Sequence, residues 1–137
     1  MTHSSRILIV DDAEPFRRQL RAALEGAGLA VVEASEGVEA LWRARSEAPF
    51  DLILCDIYMP AMDGLAFLRE VRQLPGYATT PIIVLTSDAS RERRAEGKAA
   101  GATAWLLKPP HIPALIIGIQ AALFRVSVAP PPDSDER

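Results

Sequence analysis

Six side chains in this sequence have the types to share one piece of chemistry: Asp11, Asp12, Asp56, Thr86, Ser87 and Lys108. Each follows or ends a short apolar run: RILIV at 6–10, DLILCD at 51–56, PIIVLTS at 81–87 and TAWLLK at 103–108. Singly they have plain structural readings: Asp11 or Asp12 as a helix cap, Thr86 as a strand residue, Lys108 as a solvated charge. Gathered at one place they need a cation, since two carboxylates about 4 Å apart repel by roughly 4 kcal/mol at an effective dielectric of about 20. Lys108 supplies one positive charge, and Mg²⁺, a hard ion taking oxygen ligands, suits a site with few carboxylates, water and a phosphoryl oxygen. The chemistry indicated is phosphoryl transfer: a carboxylate nucleophile gives an acyl phosphate, the cations neutralise its oxygens, and the Thr86 hydroxyl holds the product.

Bringing these residues together requires a particular scaffold. A fifth apolar run, AVVEA at 30–34, joins the other four, and helical stripes separate them. The stripes are Phe16, Leu20, Ala23 and Ala27; Val38, Leu41 and Trp42; Phe67, Leu68, Val71 and Leu74; a weak Ala and Arg-rich pattern at 91–100; and a run at 113–124. Pro15 suits a first helical turn, GAG at 26–28 ends the first helix, and Pro75-Gly76 ends the third. Strict alternation predicts (βα)₅, an α/β doubly wound five-stranded parallel sheet whose continuous apolar strands are covered on both faces. In such sheets ligands bind at the carboxyl ends of the strands, which is where all six residues fall.

Composition narrows the function further. The chain has 137 residues, 49% hydrophobic and 24% charged, with a formal net charge of −3. That is one domain, with no basic surplus for general binding to nucleic acid or an anionic membrane. No apolar run is long enough for a signal peptide or a membrane span, which predicts a cytoplasmic address. The lone Cys55 has no partner for a disulfide and no metal-ligand spacing, and reads as a small buried hydrophobe. The segment VAPPPDSDER is Pro-rich, then polar, and is expected to be disordered, either a natural end or the start of a linker.

The motifs ILIVDD, DLILCDIYMPAMDG, PIIVLTS and AGATAWLLKP, in this order and spacing, resemble the receiver domain of bacterial two-component response regulators, from about Arg6 to Phe124. The resemblance implies a flavodoxin-like sheet with strand order 2-1-3-4-5. It assigns residues 1–125 to the receiver domain and 126–137 to a disordered Pro-rich tail or linker. It implies that Asp56 is the phosphoacceptor, fed by a histidine kinase or histidine phosphotransfer protein. By the same resemblance Asp11, Asp12, Asp56 and the backbone carbonyl of Tyr58 hold Mg²⁺, Thr86 is the switch hydroxyl, and Lys108, aimed by a cis Lys108-Pro109 bond, contacts the phosphoryl group. The implied product is a signalling module, not an enzyme acting on free substrates. A small Mg²⁺-dependent phosphohydrolase is the alternative, but Ile57-Tyr58 after Asp56 lacks the second acid of haloacid-dehalogenase-like phosphatases, and no capping insertion exists. A nucleotide-binding flavodoxin-like protein is a third; there is no P-loop, and GAGLAV follows a helix.

The chain departs from the family at several points. Trp105 stands where Tyr or Phe is usual, and reads either as the switch aromatic or as plain core packing. Tyr58 is placed to shield the phosphoryl group from water, while Asp88 is placed to orient a water, so the two oppose each other in setting phosphate lifetime. Pro110 stiffens the entry to the last helix. The fourth helix offers only alanines to the core and carries Gly97 at a cost of about 1 kcal/mol, so it is expected to be the loosest. Its Arg91, Arg93, Arg94 and Lys98 form a basic face, solvated or used for docking. The last helix turns Leu115, Ile116, Ile119 and Leu123 to the sheet and leaves Ile117 and Phe124 on a second face. Since receivers commonly use the fourth helix, fifth strand and fifth helix for dimers or targets, Ile117 and Phe124 are expected at such an interface, the competing arrangement being cover from within the monomer.

Overall fold

A computed structural model of the chain describes residues 5–128. Five strands alternate with five helices: β1 Arg6–Val10, α1 Glu14–Gly26, β2 Ala30–Ala34, α2 Gly37–Ser46, β3 Leu52–Cys55, α3 Gly64–Arg72, β4 Ile82–Thr86, α4 Arg91–Ala100, β5 Ala104–Leu107 and α5 Ile112–Val128. All strand pairs are parallel and the order is β2-β1-β3-β4-β5. This is the expected (βα)₅ flavodoxin-like sheet. Pro15 lies in the first turn of α1, and the Asp63 and Ser90 side chains cap α3 and α4 by accepting from Ala66 N at 2.9 Å and Arg93 N at 3.2 Å. α5 continues through Val128, past the expected tail boundary at 126, because no helix breaker occurs before Pro130. The rest of the expected tail lies outside the described residues.

Successive strand residues point to opposite faces, and each face builds its own core. Ile7, Ile9, Leu52, Leu54, Ile83 and Leu85 pack with Leu20 and Leu24 of α1 and Leu115 and Ile119 of α5. Leu8, Val10, Ile53, Cys55 and Val84 pack with α2, α3 and α4 on the other side. The continuous apolar strands are thus explained by two covered faces, with exceptions on the edge strands: Ala30 on β2 and Leu106 and Leu107 on β5 are exposed. β5 is an edge strand, so its outer residues lack a neighbouring strand and reach past the helices.

One helical stripe also differs from its sequence reading. On α2 the buried positions are Gly37, Ala40, Leu41 and Ala44, while Val38 and Trp42 are 52% and 60% exposed. The helix lies close to its neighbours, so that a Cβ on Gly37 would stand 3.2 Å from Met62 O. Small residues therefore face inward, and the large apolar pair, four residues apart, turns outward.

Gly97 on α4 also has a role beyond its helix cost. The helix is indeed poor in buried apolar side chains, with Gly97 and Ala100 buried. A Cβ on Gly97, however, would lie 2.6 Å from Trp105 Cζ3 and 2.8 Å from Cε3. The missing side chain is the slot that receives the indole.

Candidate functional site

Register brings the chemistry to one rim. Val10 pairs with Cys55, Cys55 with Val84, and Thr86 with Leu107, so the next residues of β1, β3 and β5 emerge side by side. Asp11 N donates to Ala34 O at 3.1 Å and Asp56 N to Val10 O at 3.0 Å, extending the ladder to both acids. Asp11 is 2% exposed, Asp56 8% and Thr86 fully buried, whereas Asp12 faces solvent.

The buried acids are compensated individually. Asp56 Oδ1 accepts from Ile57 N at 2.6 Å and Tyr58 N at 3.3 Å, and Asp11 Oδ1 accepts from Ala13 N at 2.8 Å. Their other oxygens share one lysine: Lys108 Nζ donates to Asp11 Oδ2 at 2.6 Å and to Asp56 Oδ2 at 2.9 Å. The Lys108-Pro109 peptide is cis, as the resemblance implied. Burial pulls the Lys108 pKa down, but hydrogen bonds to and charges of Asp11 and Asp56 outweigh it and hold the ammonium above its ordinary value of 10.5. The lysine is therefore charged throughout the neutral range.

The same lysine lies 4.6 Å from the centroid of the Phe16 ring, a cation–π contact that sequence reading missed because Phe16 looks like one more core residue of α1. Arg17 is a second unforeseen support, donating from Nη1 to Asp11 O at 2.6 Å. Gly64 is a third. A Cβ there would stand 2.3 Å from Asp56 O and 2.6 Å from Ile57 Cα, so only glycine lets α3 start this close to the loop that follows Asp56. The pairing of Asp63 with Gly64 in the sequence was the available signal.

Side-chain oxygens of Asp11, Asp12 and Asp56 lie within 4.8 Å of one another. Three hard oxygen donors, one of them solvent-facing, match the donor chemistry of Mg²⁺. Asp88 gathers the remaining expected residues. Its backbone N donates to Thr86 Oγ1 at 3.3 Å, its carboxylate accepts from the Tyr58 hydroxyl and from Ser90 N at 2.8 Å, and its carbonyl accepts from Trp105 Nε1 at 3.0 Å. Trp105 is 6% exposed, its ring turned inward against α4. Arg93 stands over the Tyr58 ring at 5.6 Å. Tyr58 and Asp88 are thus joined rather than independent, and the carboxylate holds the phenol pKa above its ordinary 10.0. Burial pushes the Cys55 thiol far above its usual range, consistent with an inert core residue.

Ile117 and Phe124 are exposed on α5. No described helix is long and apolar enough to cross a membrane.

The arrangement has known relatives. The family model described as the response regulator receiver domain matches residues 7–120. The chain is 37% identical over 126 residues to the transcriptional regulatory protein ResD of Bacillus subtilis, covering 92% of this chain and 51% of ResD. It is likewise 37% identical over 129 residues to KdpE of Escherichia coli, a KDP operon transcriptional regulatory protein, covering 94% and 56%. The chain thus spans about half the length of these relatives. Among solved structures, chemotaxis protein CheY4 of Vibrio cholerae superposes with a TM-score of 0.82 at 40% identity, covering 87% of this chain and 98% of CheY4. A CheY-like receiver protein of Methanospirillum hungatei gives 0.85 at 31% identity, covering 90% and 97%. With both the matched span and the rim geometry in place, the chain belongs to the response regulator receiver domain family of two-component systems.

Proposed function

We propose that Asp56 is the phosphoacceptor and that the state of its carboxylate sets which partners the domain binds. The observation that carries this reading is the bridging of Asp56 Oδ2 and Asp11 Oδ2 by one lysine, beside a buried hydroxyl. Asp56 Oδ2 attacks the phosphorus of a phosphohistidine on a histidine kinase or phosphotransfer protein. A P–O bond forms, the P–N bond breaks, and the imidazole leaves with a proton from solvent. Two backbone N–H groups hold Oδ1 and so fix which oxygen is the nucleophile. Lys108 turns from the carboxylate to a phosphoryl oxygen, and Thr86 gives up its bond from Asp88 N to reach another. Asp11, Asp12, Asp56 and the Tyr58 carbonyl would hold Mg²⁺, which supplies charge neutralisation to the phosphoryl oxygens when bound. The domain catalyses the transfer from this donor onto itself and its own dephosphorylation, and acts as a phosphoacceptor signalling protein.

Tyr58 and Asp88 set the phosphate lifetime together. The phenol ring shields the rim, and its hydroxyl occupies the Asp88 carboxylate that would otherwise orient a water. The resulting shift passes through Thr86, Asp88 and Trp105 to α4 and β5. Output then goes to a second copy or a target protein through α4, β5 and α5, where Leu106, Leu107, Ile117 and Phe124 are exposed. Direct binding of nucleic acid or membrane is not part of this role, the location is cytoplasmic, and the functional domain runs from β1 through α5.

Beryllofluoride, which mimics the phosphoryl group, tests the site. With Mg²⁺ it is expected to shift the amide resonances of Asp56, Thr86 and Lys108 in the wild type and to leave Asp56→Asn unchanged. An equal response in Asp56→Asn would remove Asp56 from the role.

A further inference from the structure

We propose that Phe16 is a positioning residue for phosphoryl transfer: the face of its ring holds the Lys108 ammonium at the rim while that lysine exchanges its hydrogen-bond partners. This rests on the reading above that Asp56 is the phosphoacceptor, and it names a further residue on which that reaction depends. Lys108 Nζ lies 4.6 Å from the centroid of the Phe16 ring, inside the roughly 6 Å over which the negative face of an aromatic ring attracts a cation.

An ammonium carries three N–H donors. Two are taken by Asp11 Oδ2 at 2.6 Å and Asp56 Oδ2 at 2.9 Å, which leaves one for the ring. Those two acceptors do not belong to Lys108 alone. Asp56 Oδ2 loses its negative charge when the P–O bond forms, and Asp11 and Asp56 are two of the three acids whose oxygens cluster within 4.8 Å and would hold Mg²⁺. Both carboxylates therefore have less charge to offer the lysine as the reaction proceeds, and a bound divalent ion repels it. The ring is the partner that neither the metal nor the phosphoryl group claims. Its attraction is also broad in angle, so Nζ can slide from a carboxylate to a phosphoryl oxygen without leaving the ring, whereas a third hydrogen bond would have to break.

The placement of Phe16 suits this role. Leu20 and Leu24, which follow it on the same face of α1, are 1% and 0% exposed, whereas Phe16 packs against their cluster and stays partly exposed. Leucine would fill such an edge of the core, but only an aromatic ring offers a negative face to a cation. The helix that carries the ring is also tied to the acid that holds the lysine. Asp11 Oδ1 accepts from Ala13 N at 2.8 Å, Pro15 stands in the first turn, and Arg17 Nη1 donates to Asp11 O at 2.6 Å. Ring, ammonium and carboxylate thus keep a fixed relation, and a lysine already in place needs no reorganisation when the phosphoryl oxygen arrives.

The test replaces Phe16 alone, in the full chain, with its mono-, di- and trifluorinated analogues, which keep the shape of the ring while draining its negative face, and with Leu and Tyr. The rate of phosphorylation by acetyl phosphate with Mg²⁺ is expected to fall stepwise with each fluorine and by about fivefold in Phe16→Leu, and Phe16→Tyr is expected to recover most of that loss. The Lys108 ε-methylene protons, which the ring current places upfield in the wild type, are expected to move downfield in Phe16→Leu with no phosphoryl donor present. Amide resonances of β1, β3 and β4 report that each variant is folded. The proposal is overturned if the fluorinated chains or Phe16→Leu react as fast as the wild type, or if the Lys108 methylene resonances are the same in Phe16→Leu. A wild type that takes no phosphoryl group at Asp56 would overturn the phosphoacceptor reading and the positioning role with it. A wild type that takes one, at a rate indifferent to fluorination, would overturn the positioning role and keep the reading.

Discussion

Tyr58 carries two effects that substitution can separate. Its ring lies at the rim and its hydroxyl holds Asp88. Tyr58→Phe keeps the ring and frees the carboxylate, whereas Tyr58→Asn removes both. Phosphate loss, followed by intact mass after removal of the donor, is expected to quicken modestly in Phe and several-fold further in Asn. An Asn variant as slow as wild type would exclude Tyr58 from timing. Most of the residues at this rim were legible in the sequence because each carboxylate, hydroxyl or amine follows an apolar run directly, and a parallel sheet fixes where such positions go. Phe16, Arg17 and Gly64 were not, since their contribution is a contact with a residue distant in sequence, and a ring, a helical arginine and a glycine have common uses elsewhere. The joining of Tyr58 to Asp88 across thirty positions was invisible for the same reason.

At the scale of elements, α4 and Trp105 form one unit. Alanine normally improves a helix interior by about 1 kcal/mol over glycine. At Gly97 the added Cβ collides with the indole, so Gly97→Ala is expected to destabilise by about 1–3 kcal/mol in urea unfolding. In a Trp105→Leu background the same change is expected to stabilise. No difference between the two backgrounds would mean that the slot is not what Gly97 supplies. Glu33 on β2 ties down α1, accepting from Arg17 Nε and Arg21 Nη1, each at 2.9 Å. Burial raises its pKa, but the two arginines outweigh it and hold the carboxyl below the ordinary 4.5. A lowered folded pKa stabilises fully above 4.5 and the contribution disappears as pH falls through the folded value. Glu33→Gln is therefore expected to lose about 1 kcal/mol at neutral pH and to show a flatter stability curve below 4.5, measured by denaturant unfolding across pH. The element pattern itself was readable from apolar periodicity. Where it misled, at Val38, Trp42 and Leu106–Leu107, the cause was tertiary: a close-packed helix buries its small side and an edge strand lacks cover.

For the whole molecule, two covered faces make the sheet a rigid frame, and the rim at its carboxyl edge is where rigid and movable parts meet. Asp11, Asp56 and Lys108 are held by strands and their immediate extensions. The Thr86 hydroxyl, Asp88, the Trp105 indole and α4 are tied to one another by a few hydrogen bonds and one glycine slot. That contrast predicts faster amide exchange in α4 than in α1, while protection of α4 equal to that of α1 would contradict it. The parallel sheet and its two cores follow from alternation and the continuous apolar strands, and the strand order from the family resemblance, whereas which charges find internal partners is set by the tertiary arrangement, something no linear reading supplies. The central claim is that this rim makes an acyl phosphate on Asp56. Intact mass measurement after incubation with acetyl phosphate and Mg²⁺ tests it directly. The expected result is a single phosphoryl adduct, mapped to Asp56, that is base-labile and absent from Asp56→Asn; no adduct on the wild type, or one that persists in Asp56→Asn, would contradict it.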